Sequence, residues 1–500
     1  MKSLPAPIGD SVVHRGTLAV TAARGGRLPR VRAVIARVAL SSAALAVAAC
    51  TIMAPPPPVV ELPAASGATA AEIDRWWLLF NDPQLTALIE QALAANLDLQ
   101  SALARIDEAR ANVRLARAEF YPSLDASVSA DRGKRSAATV LPQGPPYISN
   151  TFDFGLQAAY EVDLWGRVRS GVRASDASLL AVRLDLQALR LVLTAQVADT
   201  YFTLRSLDAE LAVTQATLAT REENVRLQTS RAKAGVVSEY DLAQAQAERA
   251  SVAAAVPALQ KSLAQTESAL AALTGRSARD VFAPVIGRGV ELEQAAMPPV
   301  VPAGLASDLL MRRPDVRRAE AQLASADARI AEARAQYFPR LTLTSSFGGE
   351  STELSDLLNA PARVWSLVGG LTQPIIGVNR ISAEVDAANA RRAQAATAYV
   401  QSVQTTLREV HDALVAQQTA QTALVAQQER RARLADALRL AELRYKNGYS
   451  SYLEVLDAQR GLLGAERDRI SALRDRQTAL VDLYKALGGG WSPQAFAQSE

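Results

Sequence analysis

The sequence predicts a mainly α-helical fold that also carries membrane-type β-strands, made of one helix-strand-strand-helix unit used twice. Three observations predict it. First, the chain reads twice: Ala118-Glu119-Phe120-Tyr121-Pro122-Ser123-Leu124 returns as Ala335-Gln336-Tyr337-Phe338-Pro339-Arg340-Leu341. Likewise Arg231-Ala-Lys-Ala-Gly235 returns as Arg444-Tyr-Lys-Asn-Gly448, and Leu273-Thr274-Gly275 as Leu487-Gly488-Gly489. The offsets are 217, 213 and 214 residues, so the register holds across whole halves; this is duplication of a large unit, not a short solenoid period. Second, runs of polar/apolar alternation follow each aromatic-Pro break. Third, the segments Gly166 to Ala234 and Gly377 to Asn447 contain no proline.

Residues 1–49 read as a signal peptide. Lys2, Arg15, Arg24, Arg27, Arg30, Arg32 and Arg37 precede the apolar run Val38 to Ala49, which is too short to span a bilayer and ends in small residues. The single cysteine follows, and Leu45-Ala-Val47-Ala48-Ala49-Cys50 resembles a bacterial lipobox. That resemblance implies diacylglyceryl transfer to the Cys50 thiol, cleavage before it, and acylation of the new amino terminus; an ordinary cysteine in an Ala-rich segment is the competing reading. Thr51 is not the Asp that marks inner-membrane retention, which favours the outer membrane, and three acyl chains anchor far more firmly than one. The leader carries seven Lys/Arg and one Asp, a contribution of +6, so the whole-chain +3 becomes −3 without it. No basic patch is left as a footprint for nucleic acid. One cysteine provides no disulfide framework.

Residues 50–75, with Pro55-Pro-Pro-Pro58 and then Ala/Ser/Gly, read as a semi-rigid tether. The first repeat is assigned to 76–290. Asn81-Asp82-Pro83 opens a helix as an N-cap followed by proline, and Leu85, Leu88, Ile89, Ala92 and Leu93 form one stripe. Asn96-Leu97-Asp98 restarts a helix running to Phe120; its counterpart runs from Arg313-Pro314-Asp315 to Phe338. Pro122 and Pro339 end both, because the residue before a proline is pushed out of the helical region.

Strands are expected at about 122–132 and 151–164. Leu124, Ala126, Val128 and Ala130 alternate with Ser123, Asp125, Ser127, Ser129 and Asp131; Phe152, Phe154, Leu156, Ala158, Tyr160, Val162 and Leu164 alternate with Asp153, Gln157, Glu161 and Asp163. Period two with one apolar face identifies strands. After a linker at 291–306, the second repeat (307–491) repeats the pattern at 340–348 and, more weakly, at 364–376. Such lengths suit tilted membrane strands of roughly 9 to 11 residues, and alternation alone suits equally a soluble two-hairpin sheet with one wet face.

The long segments decide between these. Apolar residues such as Leu184, Leu191, Val197, Phe202 and Leu211 recur at helical spacing among Ala, Gln and Arg, and at ~1.5 Å per residue each helix would reach about 100 Å. Gly235 and Gly448 turn the chain back, with Ser238 and Ser451 as candidate caps, giving helical hairpins at 166–274 and 377–487 and a tail at 492–500. Four strands cannot close a barrel, and an open edge cannot face hydrocarbon. Either the sheet stays in water, or several chains share it. Three chains supply twelve strands and twelve helical segments around one axis, polar strand faces inward.

The duplicated unit, Tyr121-Pro122 and Phe338-Pro339 at the strand entries, Glu161-Val162-Asp163-Leu164-Trp165-Gly166 at a strand exit, and Tyr445 to Arg460 resemble the TolC-like outer-membrane efflux proteins; the lipobox narrows this to the OprM/NodT lipoprotein type. The resemblance covers about Trp76 to Trp491. It implies a homotrimeric 12-stranded outer-membrane β-barrel, four strands per chain, continuous with a long periplasmic α-helical barrel. It also implies a periplasmic adaptor (membrane fusion) protein and an inner-membrane pump of the resistance-nodulation-division class as partners, with outer-membrane lipid around the barrel. By position it carries adaptor docking onto Gly235, Val236, Val237, Ser238, Gly448, Tyr449, Ser450 and Ser451, where plain turn glycines with capping serines are the simpler reading. It carries a periplasmic gate onto Tyr445, Glu454 and Asp457, whose carboxylates would stand in rings under threefold symmetry; a solvated helix face is the alternative.

An enzyme is not expected. The chain beyond the leader has one histidine, His411, no G-x-S-x-G, and no His/Cys cluster; no cofactor or metal is anticipated beyond the lipid on Cys50. The alternatives retained are a duct for type I protein secretion and a non-conducting structural coiled-coil lipoprotein.

Overall fold

The computed structural model describes residues 75–134, 148–295 and 313–489. The expected leader, Cys50, nearly all of the tether, most of the 291–306 linker and the 492–500 tail lie outside the described residues.

A 3-10 turn at Trp76–Phe80 leads into α1 (Pro83–Ala95) and α2 (Leu97–Ala118), then strands β1 (Ser123–Lys134) and β2 (Ile148–Val162). Next come α3 (Arg167–Lys233), α4 (Glu239–Leu273) and a short α5 (Ala278–Phe282). The second half gives α6 (Pro314–Ala335), β3 (Arg340–Ser351), β4 (Arg363–Thr372), α7 (Val378–Lys446) and α8 (Tyr452–Ala486). The two long helices have 67 and 69 residues, so at ~1.5 Å per residue both approach the expected 100 Å.

Local chemistry sets the boundaries. Asp82 accepts from the Gln84 and Leu85 N–H groups, and Asn96 from those of Asp98 and Leu99, so orphan donors of α1 and α2 are satisfied by side chains. Before Pro122 the backbone tightens into three successive i to i−3 bonds, at Glu119, Phe120 and Tyr121; before Pro339 the same happens at Gln336, Tyr337 and Phe338. Both helices therefore end two or three residues ahead of the expected Phe120 and Phe338. The aromatic pairs belong to the closing turn.

The four strands form one antiparallel meander in the order β1-β2-β3-β4. Its register pairs Leu124 with Ala158, Val128 with Phe154, Leu156 with Phe347, Tyr160 with Leu343, Leu341 with Leu371, and Phe347 with Trp365. Directly paired residues share a face, so every apolar run of the four strands lies on the same side. Strand ends differ from expectation. The β1/β2 ladder extends to Lys134 and Ile148, and β3 continues to Ser351. Conversely β2 stops at Val162, because Asp163 leaves the ladder and caps α3 by accepting from the Val168 and Arg169 N–H groups. Strand β4 stops at Thr372, short of the expected end at 376, because Pro374 has no N–H for a ladder and Gly377, at φ 94°, already turns into α7.

The main core sits where Trp76, Phe80, Leu85 and Ile89 meet Tyr201, Phe202 and Leu204 of α3 and Leu480, Val481 and Tyr484 of α8. Trp76 stacks on Tyr484 at 5.9 Å, and Phe80 meets Phe202 at 5.2 Å. Closer to the sheet, small residues let α3 approach α6: Ser178 and Ser325 hydroxyls lie 2.9 Å apart, and Ser325 donates to the Ala174 carbonyl. Pro257 lies within α4 without ending it, a breaker the helical reading passes over.

One half-buried group works against this packing. The Asp199 carboxyl on α3 has an oxygen without a partner, and burial, reinforced by Asp482 and opposed by Lys485, pushes it up to about 7. Because its folded value lies above the unfolded 3.8, the native state holds the proton more tightly, and stability falls as pH rises between about 4 and 7. Asp199→Asn is expected to raise the melting temperature at pH 8, by ~1–3 kcal/mol of stability, and to do little at pH 5; thermal melts at the two pH values check this.

Candidate functional site

Two regions carry chemistry beyond packing: the sheet and the helical tips. The sheet is two-faced. On one side stand Leu124, Ala126, Val128, Phe152, Phe154, Leu156, Leu341, Leu343, Phe347, Trp365, Leu367 and Leu371, and much of it is open, with Val128 and Trp365 each 78% exposed. On the other stand Ser123, Asp125, Ser127, Ser129, Asp153, Gln157, Thr342, Thr344, Ser346 and Ser366, cross-linked by Ser129 donating to Asp153 at 2.9 Å and by the Ser346 and Ser366 hydroxyls at 2.7 Å. A large exposed apolar face on a folded chain marks a surface that something apolar covers. The outer edges of β1 and β4 have no strand beside them among the described residues.

Where the sheet meets the helices, the two repeats are clasped. The Trp165 indole N–H donates to the Pro339 carbonyl at 2.7 Å, and its ring stacks on Phe338 at 4.8 Å. Beside them Arg167 bridges Glu161 and Glu119 at 2.8 and 2.9 Å. The Glu161 hydrogen bond, against the cost of burial, holds this guanidinium above its ordinary value. The repeat comparison marks Trp165 as a strand exit but not as the partner of the other repeat's entry.

At the far end the helical turns are built alike. Gly235 and Gly448 take φ 67° and 76°, a left-handed conformation that glycine adopts without Cβ strain. The Gly235 N–H reaches Ala232 and the Val236 N–H reaches Arg231; Gly448 and Tyr449 repeat this onto Tyr445 and Arg444. Val236 and Tyr449 are exposed, Tyr449 at 80%, with Tyr240 and Leu453 exposed beside them; Val237 and Ser450 are half-buried. Ser238 forms a full capping box with Asp241. Ser451 does not cap as expected: the equivalent N3 position is Glu454, which turns to Arg444 at 3.7 Å.

Of the expected gate residues, the structure draws Tyr445 and Glu454 into contacts and leaves Asp457 exposed. The Tyr445 hydroxyl accepts from Gln228 at 3.1 Å and Arg231 at 3.2 Å, and Arg231 lies over its ring at 5.5 Å. Asn224 donates to the Tyr452 hydroxyl at 2.6 Å. The first hairpin's tip is thus joined to the second's, through Asn224 and Gln228, which the sequence did not single out, and Arg231, which it marked only as part of the repeated turn motif. Polar side chains on a long helix leave no periodic signature of their partner. Each rung of this kind is worth ~0.5–1.5 kcal/mol net, because water replaces it when it opens.

Among the described residues no group of three His, Cys, Asp or Glu could hold a metal ion, and no helix is long and apolar enough to cross a membrane. His411 lies exposed on α7.

Comparison with known proteins gives a consistent answer. The family model described as outer membrane efflux protein matches residues 88–276 and, separately, 305–489, one match per repeat. The solvent efflux pump outer membrane protein SrpC of Pseudomonas putida is 37% identical over 413 residues, covering 83% of this chain and 87% of that protein. The cation efflux system protein CusC of Escherichia coli K12 is 32% identical over 415 residues, covering 83% and 88%. Among solved structures, the CmeC outer membrane channel of Campylobacter jejuni superposes with a TM-score of 0.82 at 26% identity, covering 89% of this chain and 96% of that one. A membrane protein from Pseudomonas aeruginosa gives 0.79 at 33% identity, covering 86% and 99%.

Proposed function

We propose, from the premise that this chain belongs to the outer membrane efflux protein family, that three copies close a conducting duct through which small molecules leave the periplasm. The protein is an outer-membrane efflux channel with a periplasmic helical domain. The finer reading rests on one observation above the others: a four-stranded sheet with an exposed apolar face, a polar face and two edges that have no strand beside them among the described residues. In hydrocarbon those edges need partners, since each unsatisfied backbone group there costs several kcal/mol. Three sheets joined edge to edge make twelve strands, enough for a water-filled lumen lined by the serines, threonines and aspartates of the polar face. The apolar face then meets lipid.

The same trimer sets α3, α4, α7 and α8 side by side into a tube in the periplasm. Its tip presents Gly235, Val236, Val237 and Ser238 beside Gly448, Tyr449, Ser450 and Ser451 to a periplasmic adaptor, which links it to an inner-membrane pump of the resistance-nodulation-division class. Tyr445, Glu454 and Asp457 narrow its entrance. Lipid on Cys50 anchors the amino terminus in the outer membrane. The names of the relatives speak of solvents, toluene, antibiotics and cations, a spread that a shared duct accommodates when the pump does the selecting.

Purified protein in a planar bilayer is expected to give discrete conductance steps; membrane-inserted trimers that never pass ions would remove the duct reading in favour of a structural spacer. Gly448→Trp is expected to abolish most export from cells while the purified variant still conducts, because it blocks docking and not the pore; unchanged export counts against tip docking. Cys50→Ser is expected to lose lipid labelling and to keep trimers, and a variant still labelled rules out acylation at Cys50.

A further inference from the structure

The four strands sort their charges by face. Among the described strand residues on the apolar side, only Arg132, Lys134 and Arg363 carry charge, and all three are cations. On the polar side stand Asp125, Asp131, Asp153, Glu161 and Glu350, with Arg340 as the single cation among them. A surface that merely met water would intersperse the two signs on both faces.

The three cations also gather at one end. Arg132 and Lys134 fall in the last three residues of β1 and Arg363 is the first of β4, so all lie at the end of the sheet farthest from the helices. Trp365, wide open, follows Arg363 two residues down the same face, with Phe347 opposite it and Phe152 and Phe154 on β2. Aromatic girdles mark the headgroup level of a membrane, which sets Arg363 ~7 Å further out along its strand, among phosphates. Each cation is exposed, and none makes an ion pair among the described residues. In the adjoining loop Asp356 accepts from Asn359 at 2.9 Å and Glu353 is exposed.

Within one chain these cations stand apart, because β1 and β4 are opposite edges of the sheet, three strand spacings or about 14 Å across. Ring closure brings them together. Arg363 lies in register with Gly349, Phe154 and Val128, and Lys134 is six residues beyond Val128 on its strand. For three sheets to end at one level rim, each boundary between protomers steps by those six residues. That sets Arg363 beside the neighbouring protomer's Lys134, one strand spacing of about 4.8 Å away, with Arg132 two residues below on the same face.

We propose that Arg363 of one protomer, with Arg132 and Lys134 of the next, forms a binding site for a phosphorylated lipid headgroup of the outer leaflet, one site at each boundary of the trimer. Guanidinium forks take phosphate oxygens in pairs and the ammonium adds a point charge, while acyl chains lie over Trp365, Leu367 and Val128. Lipids of the opposite leaflet do not reach it, since the helices mark the periplasmic end. The site rests on the proposed trimeric barrel.

Binding of lipid A, a bis-phosphorylated glycolipid, to purified trimers tests it, with native mass spectrometry reporting both the bound lipid and the trimer. The parent is expected to hold up to three molecules. Arg132→Gln with Lys134→Gln and Arg363→Gln is expected to weaken binding about a hundredfold and Arg363→Gln alone about fivefold, while Arg340→Gln on the polar face changes nothing. Phosphate-free lipid A is expected to bind the parent as weakly as the triple variant binds the intact lipid. Phosphatidylglycerol and inorganic pyrophosphate, at equal concentration, are expected not to displace it. Full binding by the triple variant, equal binding of the phosphate-free lipid, or displacement by either competitor overturns the site and leaves the trimer standing. A parent that is monomeric in these spectra defeats the trimeric barrel and the site with it.

Discussion

A four-stranded sheet with two open edges cannot be stable alone in a bilayer, and most of the molecule answers to that constraint. The strands are long enough to cross hydrocarbon, alternate strictly enough to separate lipid from water, and yet are too few to close. Closure must come from neighbours, and neighbours arranged around an axis bring their helices with them. The great length of α3 and α7 follows, since helices that extend the wall of a barrel bury their faces sideways against one another instead of folding back into a compact core. Among the described residues the largest buried cluster lies near Trp76, Tyr201 and Tyr484.

The division of labour along the helices is equally physical. Apolar packing about Tyr201 and Tyr484 fixes how the two hairpins lie, and toward the tip polar contacts such as that of Gln228 with Tyr445 accompany a small apolar cluster of Ala245, Tyr452, Val455 and Leu456. Packed apolar surfaces part poorly while hydrogen-bonded ones trade partners with water, so the two ends of the seam differ in how readily they separate.

Much of this was legible from residues alone. The duplicated aromatic-Pro breaks marked where helices yield to strands, period two marked which faces share a side, and Gly235 and Gly448 marked the turns, because backbone demands of that kind fall on particular residue types. The sheet's register agrees with the alternation on every strand, β4 least cleanly, since Val364 and Val368 sit among its polar positions. What was not legible depended on partners far apart in the chain. The indole of Trp165 finds a carbonyl 174 residues away, and Tyr445 finds Gln228 at 217. Ser451 shows a subtler limit: its residue type suits a cap, yet Arg444 takes the glutamate that would complete it.

The clasp of Trp165 on Phe338 and Pro339 bears on ancestry. A chain holding a single repeat would have needed six copies to complete the same ring, and this contact would have joined one subunit to the next. Carrying both repeats in one chain makes it intramolecular, which raises the effective concentration of its halves. Two repeats in one chain need not stay identical, and the hairpins differ accordingly: Ser238 makes a complete capping box with Asp241, whereas Ser451 makes no side-chain cap and Glu454 pairs with Arg444.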